Sequence, residues 1–544
     1  MHKILSRAVP EPEGVEISIP QTVVLASDIF EEFLEVNDLR SLVHFADAMS
    51  DQEILDAFRN GGFPPGLRPD LGAFLETVGE PLAIRSSSIL EDSVYQPFAG
   101  VYATVMLPNN HPSQDVRLAQ LLEAVKVVYA STYFQKARGY LESTPYRIEE
   151  EMMAVLIQRL VGRQHGNRFY PTLSGVASSY NFYPFGDMSS DDGVAQIALG
   201  LGKSVVEGFE ALRFCPRHPQ VLPQFSSVKD ILRNAQRRFY ALDLSQTDVI
   251  PGASTDVNLL REDTSIAISD GVARAIASTY DREGDRITTG LDPNGVPLIT
   301  FKPLLRGQVL PLPEILTWLL KACQDGMASP VEIEFVADID DGVGRPRNFH
   351  VVQLRAMVIE EMDVVVTLEA DETEGAVVAS EIALGHGRRE SISDIIMVDP
   401  DLIERSQTQE IALITEAFNR RLREEDRRCI LIGPGRWGSR DPWLGIPVEW
   451  PQISAARAIV ETDFADLQVE PSLGSHFFHN LTCFGVAFFA VHARQRNGWV
   501  NWEWFRQQPC IDERLDGGVR HIRLESHALV LVDGSSGHGV IREP

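Results

Sequence analysis

The sequence predicts a mixed helix-and-strand protein of more than one folding unit. Three observations carry that reading. The chain has 544 residues, several times the length of a common domain. Hydrophobic residues make up 44% of it, enough for more than one core and far from a disordered composition. Apolar patterns of period two and period 3.6 alternate up to Arg355, where the texture changes.

Residues 17–25 form an apolar run broken by Pro20, and Asp28 is placed to cap a helix over residues 29–36. Residues 81–85 form a short buried-type strand ending in the polar cluster Ser86, Ser87 and Ser88. Residues 118–140 read as a helix with Leu121, Leu122, Val125, Val128 and Tyr129 on one face. Residues 154–160 and 173–178 read as strands joined by a polar loop over 162–167. Residues 217–263 are polar, with one helix near 228–242, and are expected to be an insertion or lid outside the core. Residues 331–336 and 348–355 alternate in period two around an Asp/Gly turn, as a half-buried hairpin does. An acidic stretch containing Glu360, Glu361, Asp363 and Glu374 then marks a boundary. The expected organisation is a first domain over 1–355, a linker over 356–375 and a C-terminal domain over 376–544.

Composition excludes some functions. Lysine plus arginine is 49 against 77 aspartate plus glutamate, a net charge of −28, which argues against a nucleic-acid-binding surface. The longest apolar stretches, such as 484–491, are about half a membrane span. No cationic apolar leader opens the chain, so secretion and membrane association are not expected. Cys215, Cys323, Cys429, Cys483 and Cys510 form no CxxC pair. That excludes a disulfide framework or zinc ribbon and points to the cytoplasm.

Chemistry is concentrated in few places. Glu334 on one hairpin strand, with Gln353 and Arg355 on the other, would bring a carboxylate, an amide oxygen and a guanidinium to one patch. Hard oxygens suit magnesium, and the arginine suits the phosphates that share its shell. The alternative is a surface hairpin with a cross-strand ion pair. Arg85, at a strand end before three hydroxyls and free backbone N–H groups, suits a phosphate. A capped helix start is its alternative. Gly200-Leu-Gly202-Lys203 lacks the spacing of a P-loop.

These segments match a known pattern. Ala83-Ile-Arg-Ser-Ser-Ser-Ile-Leu-Glu-Asp-Ser93 followed by Phe98-Ala-Gly-Val101 resembles the signature of the nucleotide-binding domain shared by phosphoenolpyruvate synthase and pyruvate phosphate dikinase. In order, Tyr129-Ala-Ser-Thr-Tyr-Phe134, Ala154-Val-Leu-Ile-Gln-Arg-Leu-Val161, Ser174-Gly-Val-Ala177, Ala198-Leu-Gly-Leu-Gly202, Glu332-Ile-Glu-Phe335 and Gln353-Leu-Arg355 are similar to its later motifs. The resemblance implies an α+β fold, a two-lobed ATP-grasp domain closing on ATP and Mg2+, followed here by a C-terminal α/β domain. It implies that Glu334 and Gln353 bind the metal and that Arg85 and Arg355 hold phosphates. Gln158, Arg159 and Leu160 would line the adenine, and Ser174, Gly175 and Val176 would cover the phosphates. The implied activity is an ATP-dependent phosphotransferase acting on a histidine, on its own C-terminal domain or on a partner. The alternative is a non-catalytic ATP-binding sensor. The chain has no Gly-Gly-Lys segment, no room for a pyruvate-binding barrel after residue 375 and no full phosphohistidine signature.

Beyond the boundary, Leu431-Ile-Gly-Pro-Gly-Arg-Trp-Gly-Ser-Arg440 suits either an anion-binding nest with two arginines or a tight turn over Trp437. Gly474-Ser-His-Phe-Phe-His-Asn480 places His476 after a capping serine, Ser475. A neutral imidazole at a helix start, with one nitrogen exposed, would suit a phosphoryl acceptor. His476 and His479 as a metal pair, or as packed or capping residues, are the alternatives.

Overall fold

The computed structural model describes residues 2–543 except 6–14, 89, 92–99, 143, 145, 183, 185–187, 207–209, 254–255, 308, 340–346, 358–374, 386, 440, 465–480, 482–483, 493–496 and 535. The chain divides into two compact units, one made of Met1–Val206 with Glu210–Met357, the other running from Val358 to Pro544.

The first unit is organised by two sheets that share the start of the chain. Val15–Ser18 runs parallel to Arg347–Ala356 in a six-stranded sheet, whereas Thr22–Leu25 pairs antiparallel with Met153–Arg159 in a four-stranded one. The run broken by Pro20 is therefore two strands in two sheets. Proline has no N–H to give a ladder, so the chain changes sheets there. The four-stranded sheet runs Thr22–Leu25, Met153–Arg159, Leu82–Ser88, Thr104–Leu107. The six-stranded sheet runs Val15–Ser18, Arg347–Ala356, Val331–Asp338, Leu173–Ser178, Val194–Ala198, Leu212–Phe214.

Helices cover both. The helix Leu312–Met327 buries Ile315, Leu316, Leu319, Leu320 and Cys323, one stripe at helical spacing, against Val331–Asp338. Each such aliphatic side chain contributes about 1.5–3 kcal/mol of burial. Gln114–Ser131 packs on the four-stranded sheet and on Asp51–Arg59 and Leu67–Thr77. The single helix expected over 118–140 is two, Gln114–Ser131 and Gln135–Leu141. Asp28 is not a cap: the helix Ser27–Val36 begins two residues earlier than expected, with Ala26 at the N-cap, and Asp28 accepts from the N–H of Ile29 at 2.9 Å.

Two further expectations are corrected. Ser86, Ser87 and Ser88 continue the strand Leu82–Ser88 opposite Val155, Ala154 and Met153, so the strand does not end at Arg85 and no helix starts there. Residues 217–263 are not a lid. The helix ends at Asn234, and Arg238–Asp243 is a strand between Arg168–Tyr170 and Leu259–Asp263. Its Phe239 is fully buried against Tyr170 at 4.7 Å.

The second unit is built on one mixed ten-stranded sheet. Gly387–Val398, Cys429–Pro434, Ala456–Thr462 and Ala487–Val491 run parallel, and Val519–Asp533 lies antiparallel against the first of them. The helix Thr408–Glu424 joins the first two. Asp394, fully buried, accepts from His521 at 2.9 Å, Arg523 at 2.8 Å and Arg427 at 2.6 Å. Among the described residues no helix is long and apolar enough to cross a membrane.

Candidate functional site

The hairpin Val331–Asp338 and Arg347–Ala356 sets the register of the site. Glu334 lies opposite Gln353 and Glu332 opposite Arg355, and the pairing shifts between Glu334 and Phe335. Such a bulge re-aims side chains locally. On the other side of the same strand, Glu334 faces Val176 and Phe335 faces Gly175. The Leu173–Ser178 strand thus sits directly beside the carboxylate.

Arg85 enters from the four-stranded sheet, where it lies opposite Leu156 and Thr104. Its Nη2 donates to Glu334 Oε2 at 2.7 Å and also to Gln353 Oε1, across sequence separations of 249 and 268. One guanidinium nitrogen therefore stands where two hard oxygens converge. Arg355 is tied back toward the first sheet: its Nη2 donates to Glu91 Oε1 at 3.1 Å. The N–H of Glu91 in turn donates to Ser88 Oγ at 2.9 Å. Burial pushes the Glu332 carboxyl up to about 7, with Arg355 opposing and Glu334 adding to the rise.

The remaining predicted residues divide. Gln158 is buried on the strand between Thr22–Leu25 and Leu82–Ser88; its Nε2 donates to Thr22 Oγ1 at 3.1 Å and to the carbonyl of Val352 at 3.5 Å. Arg159 instead turns to Glu80 at 3.2 Å, in an ion pair open to solvent. Leu160 packs with Phe169, Leu201, Leu242 and Met106. Ser174 Oγ donates to the carbonyl of Gly200 at 2.7 Å, tying the Leu173–Ser178 strand to the glycine segment. Gly175 is required by space: a Cβ there would lie 2.3 Å from Phe335 Cζ and 2.7 Å from the carbonyl oxygen of Gln196. Lys203 pairs with Asp256 and lies 5.7 Å from the centre of the Tyr240 ring.

Residues 5–374 match the family model for the pyruvate phosphate dikinase AMP/ATP-binding domain. The chain belongs to that family. No curated protein matches it significantly. Membership of the pyruvate phosphate dikinase AMP/ATP-binding family makes the first unit a nucleotide-binding domain that takes ATP. Read with that membership, Glu91 and Glu332 are charged neighbours that the residue-level reading left unassigned. Glu91 had a signal, since it lies within the Arg85-to-Ser93 motif. Glu332 had one too, the period-two position opposite Arg355.

In the second unit the nest is not what forms at Gly433–Trp437. Trp437 is fully buried, and its N–H donates to Glu461 Oε1 at 2.8 Å, so a carboxylate of the chain takes a donor that an anion would need. Arg440, Ser475, His476 and His479 lie outside the described residues.

Proposed function

We propose that the first unit is an ATP-grasp module that binds ATP with magnesium and passes a phosphoryl group to a histidine, on this chain or on a partner. The observation that supports it best is the convergence of Arg85, Glu334 and Gln353, with Arg355 on the same hairpin. A carboxylate and an amide oxygen meeting at one cation suit magnesium, and Glu334 and Gln353 are the residues that would hold it. Among the described residues no group of three or more His, Cys, Asp or Glu is placed to hold a metal ion by itself. Two protein oxygens accord with an ion that keeps waters and phosphate oxygens in its shell. When bound, magnesium supplies charge neutralisation on the phosphates.

The chain's own residues do the rest by positioning. Arg85 and Arg355 grip phosphate oxygens through paired donors, and Gly175 lets the backbone approach closely. Leu160 and its apolar neighbours form the adenine side, with Gln158 and Arg159 along it. The acceptor imidazole attacks in line, its nitrogen bonding phosphorus as the bridging P–O bond breaks and the shortened nucleotide leaves. We assign the acceptor on this chain to His476. Cys215, Cys323, Cys429 and Cys510 are free thiols, in keeping with a reducing cytoplasm.

The test is incubation of the full chain with ATP labelled at the β or γ position. Phosphotransfer gives labelled protein, or AMP in the presence of an acceptor. ATP returned unchanged by a protein that binds it identifies a nucleotide sensor instead. Alkaline mass spectrometry, under which phosphohistidine survives, should find the label lost in His476→Ala; label that persists moves the acceptor elsewhere.

A further inference from the structure

Resting on that reading of the site, we propose that Arg85 is a resident cation that makes divalent metal and nucleotide bind as a pair and not singly. The geometry is the argument. The same Nη2 atom donates to the Glu334 carboxylate and to the Gln353 amide oxygen. These are the only two protein oxygens that the reading gives to the metal. The guanidinium therefore satisfies both and blocks both.

Each partner arriving alone meets a charge mismatch. A divalent ion must push Arg85 off its two oxygens and leave a guanidinium beside its own charge. The side chains of Arg85 and Glu334 are 19% and 18% exposed, so solvent screens that repulsion poorly. Polyphosphate arriving alone can recruit Arg85, but the move bares the Glu334 carboxylate toward a polyanion. Arg355 does not relieve that exposure, because Glu91, 3.1 Å away, already offsets its charge. When both arrive, Arg85 transfers from the carboxylate to phosphate oxygens and the metal replaces it at Glu334 and Gln353. Every charge then faces its opposite. Arg85 thus couples two ligands without a separate regulatory site, and the coupling is reciprocal.

Manganese and ATP are the probes. Free Mn2+ is followed by electron paramagnetic resonance, and ATP by equilibrium dialysis, on the full chain. In the wild type, saturating ATP should tighten Mn2+ by a factor between about 5 and 150. In Arg85→Met, Mn2+ without ATP should bind about tenfold tighter than to wild type or better, with the ATP effect on Mn2+ reduced. Arg85→Gln should do the same if the methionine variant folds poorly, whereas Arg85→Lys, which keeps a cation, should behave as wild type. Wild type that binds Mn2+ equally with and without ATP overturns the proposal, as do neutral variants whose metal-only affinity is unchanged or lower. Those results leave ATP binding standing and sink the coupling alone. Wild type that binds neither ATP nor Mn2+ together removes the nucleotide reading and this inference with it.

Discussion

Arg355 and Glu91 form a buried ion pair at 3.1 Å although 264 residues separate them. Their side chains are only 10% and 7% exposed, so neither charge can be left alone without a large penalty. Removing one partner of such a pair costs about 3–5 kcal/mol.

Glu91→Ala and Arg355→Ala should therefore each destabilise the protein by about that amount. The double variant should cost clearly less than their sum, since the second deletion removes the charge that the first stranded. Urea unfolding of the three variants measures this, and strict additivity would rule out the pair as the cause.

Glu334→Ala and Gln353→Ala should weaken ATP binding much more with magnesium present than without it, while the fold is kept. Calorimetry in magnesium and in chelator compares the two. Equal ATP affinity for wild type and both variants would sink their assignment as metal oxygens.

His350 gives a pH dependence with a definite sign. Burial, then the nearby Arg159 charge, holds it down to about 4, while Ser18 Oγ lies 2.9 Å from its Nδ1. Unfolding frees the ring to bind a proton at its ordinary value near 6.5. Between those values the unfolded chain carries more protons, so stability is full above about 6.5 and falls as pH drops toward 4. The loss across that window should be up to about 3 kcal/mol. Denaturation at pH 7 and pH 4.5 should show a smaller loss for His350→Asn than for wild type.

Gly175→Ala should destabilise the first unit by about 1–3 kcal/mol through overpacking on Phe335. Phe335→Leu in the same chain should restore part of that loss by making room at the ring. The backbone oxygen of Gln196, 2.7 Å from the added carbon, sets a limit to the rescue. Failure of the leucine to restore anything would place the strain at that carbonyl instead.

The hairpin was legible because Val331, Ile333 and Phe335 are all buried on alternate positions, a local pattern that needs no partner to be read. Arg85 meeting Glu334 was not legible in any local pattern; only the order of motifs linked positions that far apart. Ser86 to Ser88 were open to a capped helix start because serine favours caps, but pairing with the Met153–Arg159 strand overrides that preference. The strand Arg238–Asp243 was hidden for a similar reason. Its break from the preceding helix is secured by buried Gln236, which accepts from the N–H of Leu199 at 2.7 Å and donates to its carbonyl at 3.1 Å. A side chain bridging to a backbone 37 residues away leaves no periodicity to detect.

The change of sheet at Pro20 has a mechanical side. Residues 19–21 leave one sheet at Ser18 and enter the other at Thr22, and Gln158 touches Thr22 on one side and Val352 on the other. That point is a stitch between the two sheets. Arg85 lies close to it, two positions along the strand from Ala83, which faces Gln158. Two residues of strand span about 7 Å, so the Arg85 backbone stands about that far from the stitch. Arg85 therefore reaches from one sheet to oxygens of the other right beside the stitch that joins them, where the two sheets are least free to part.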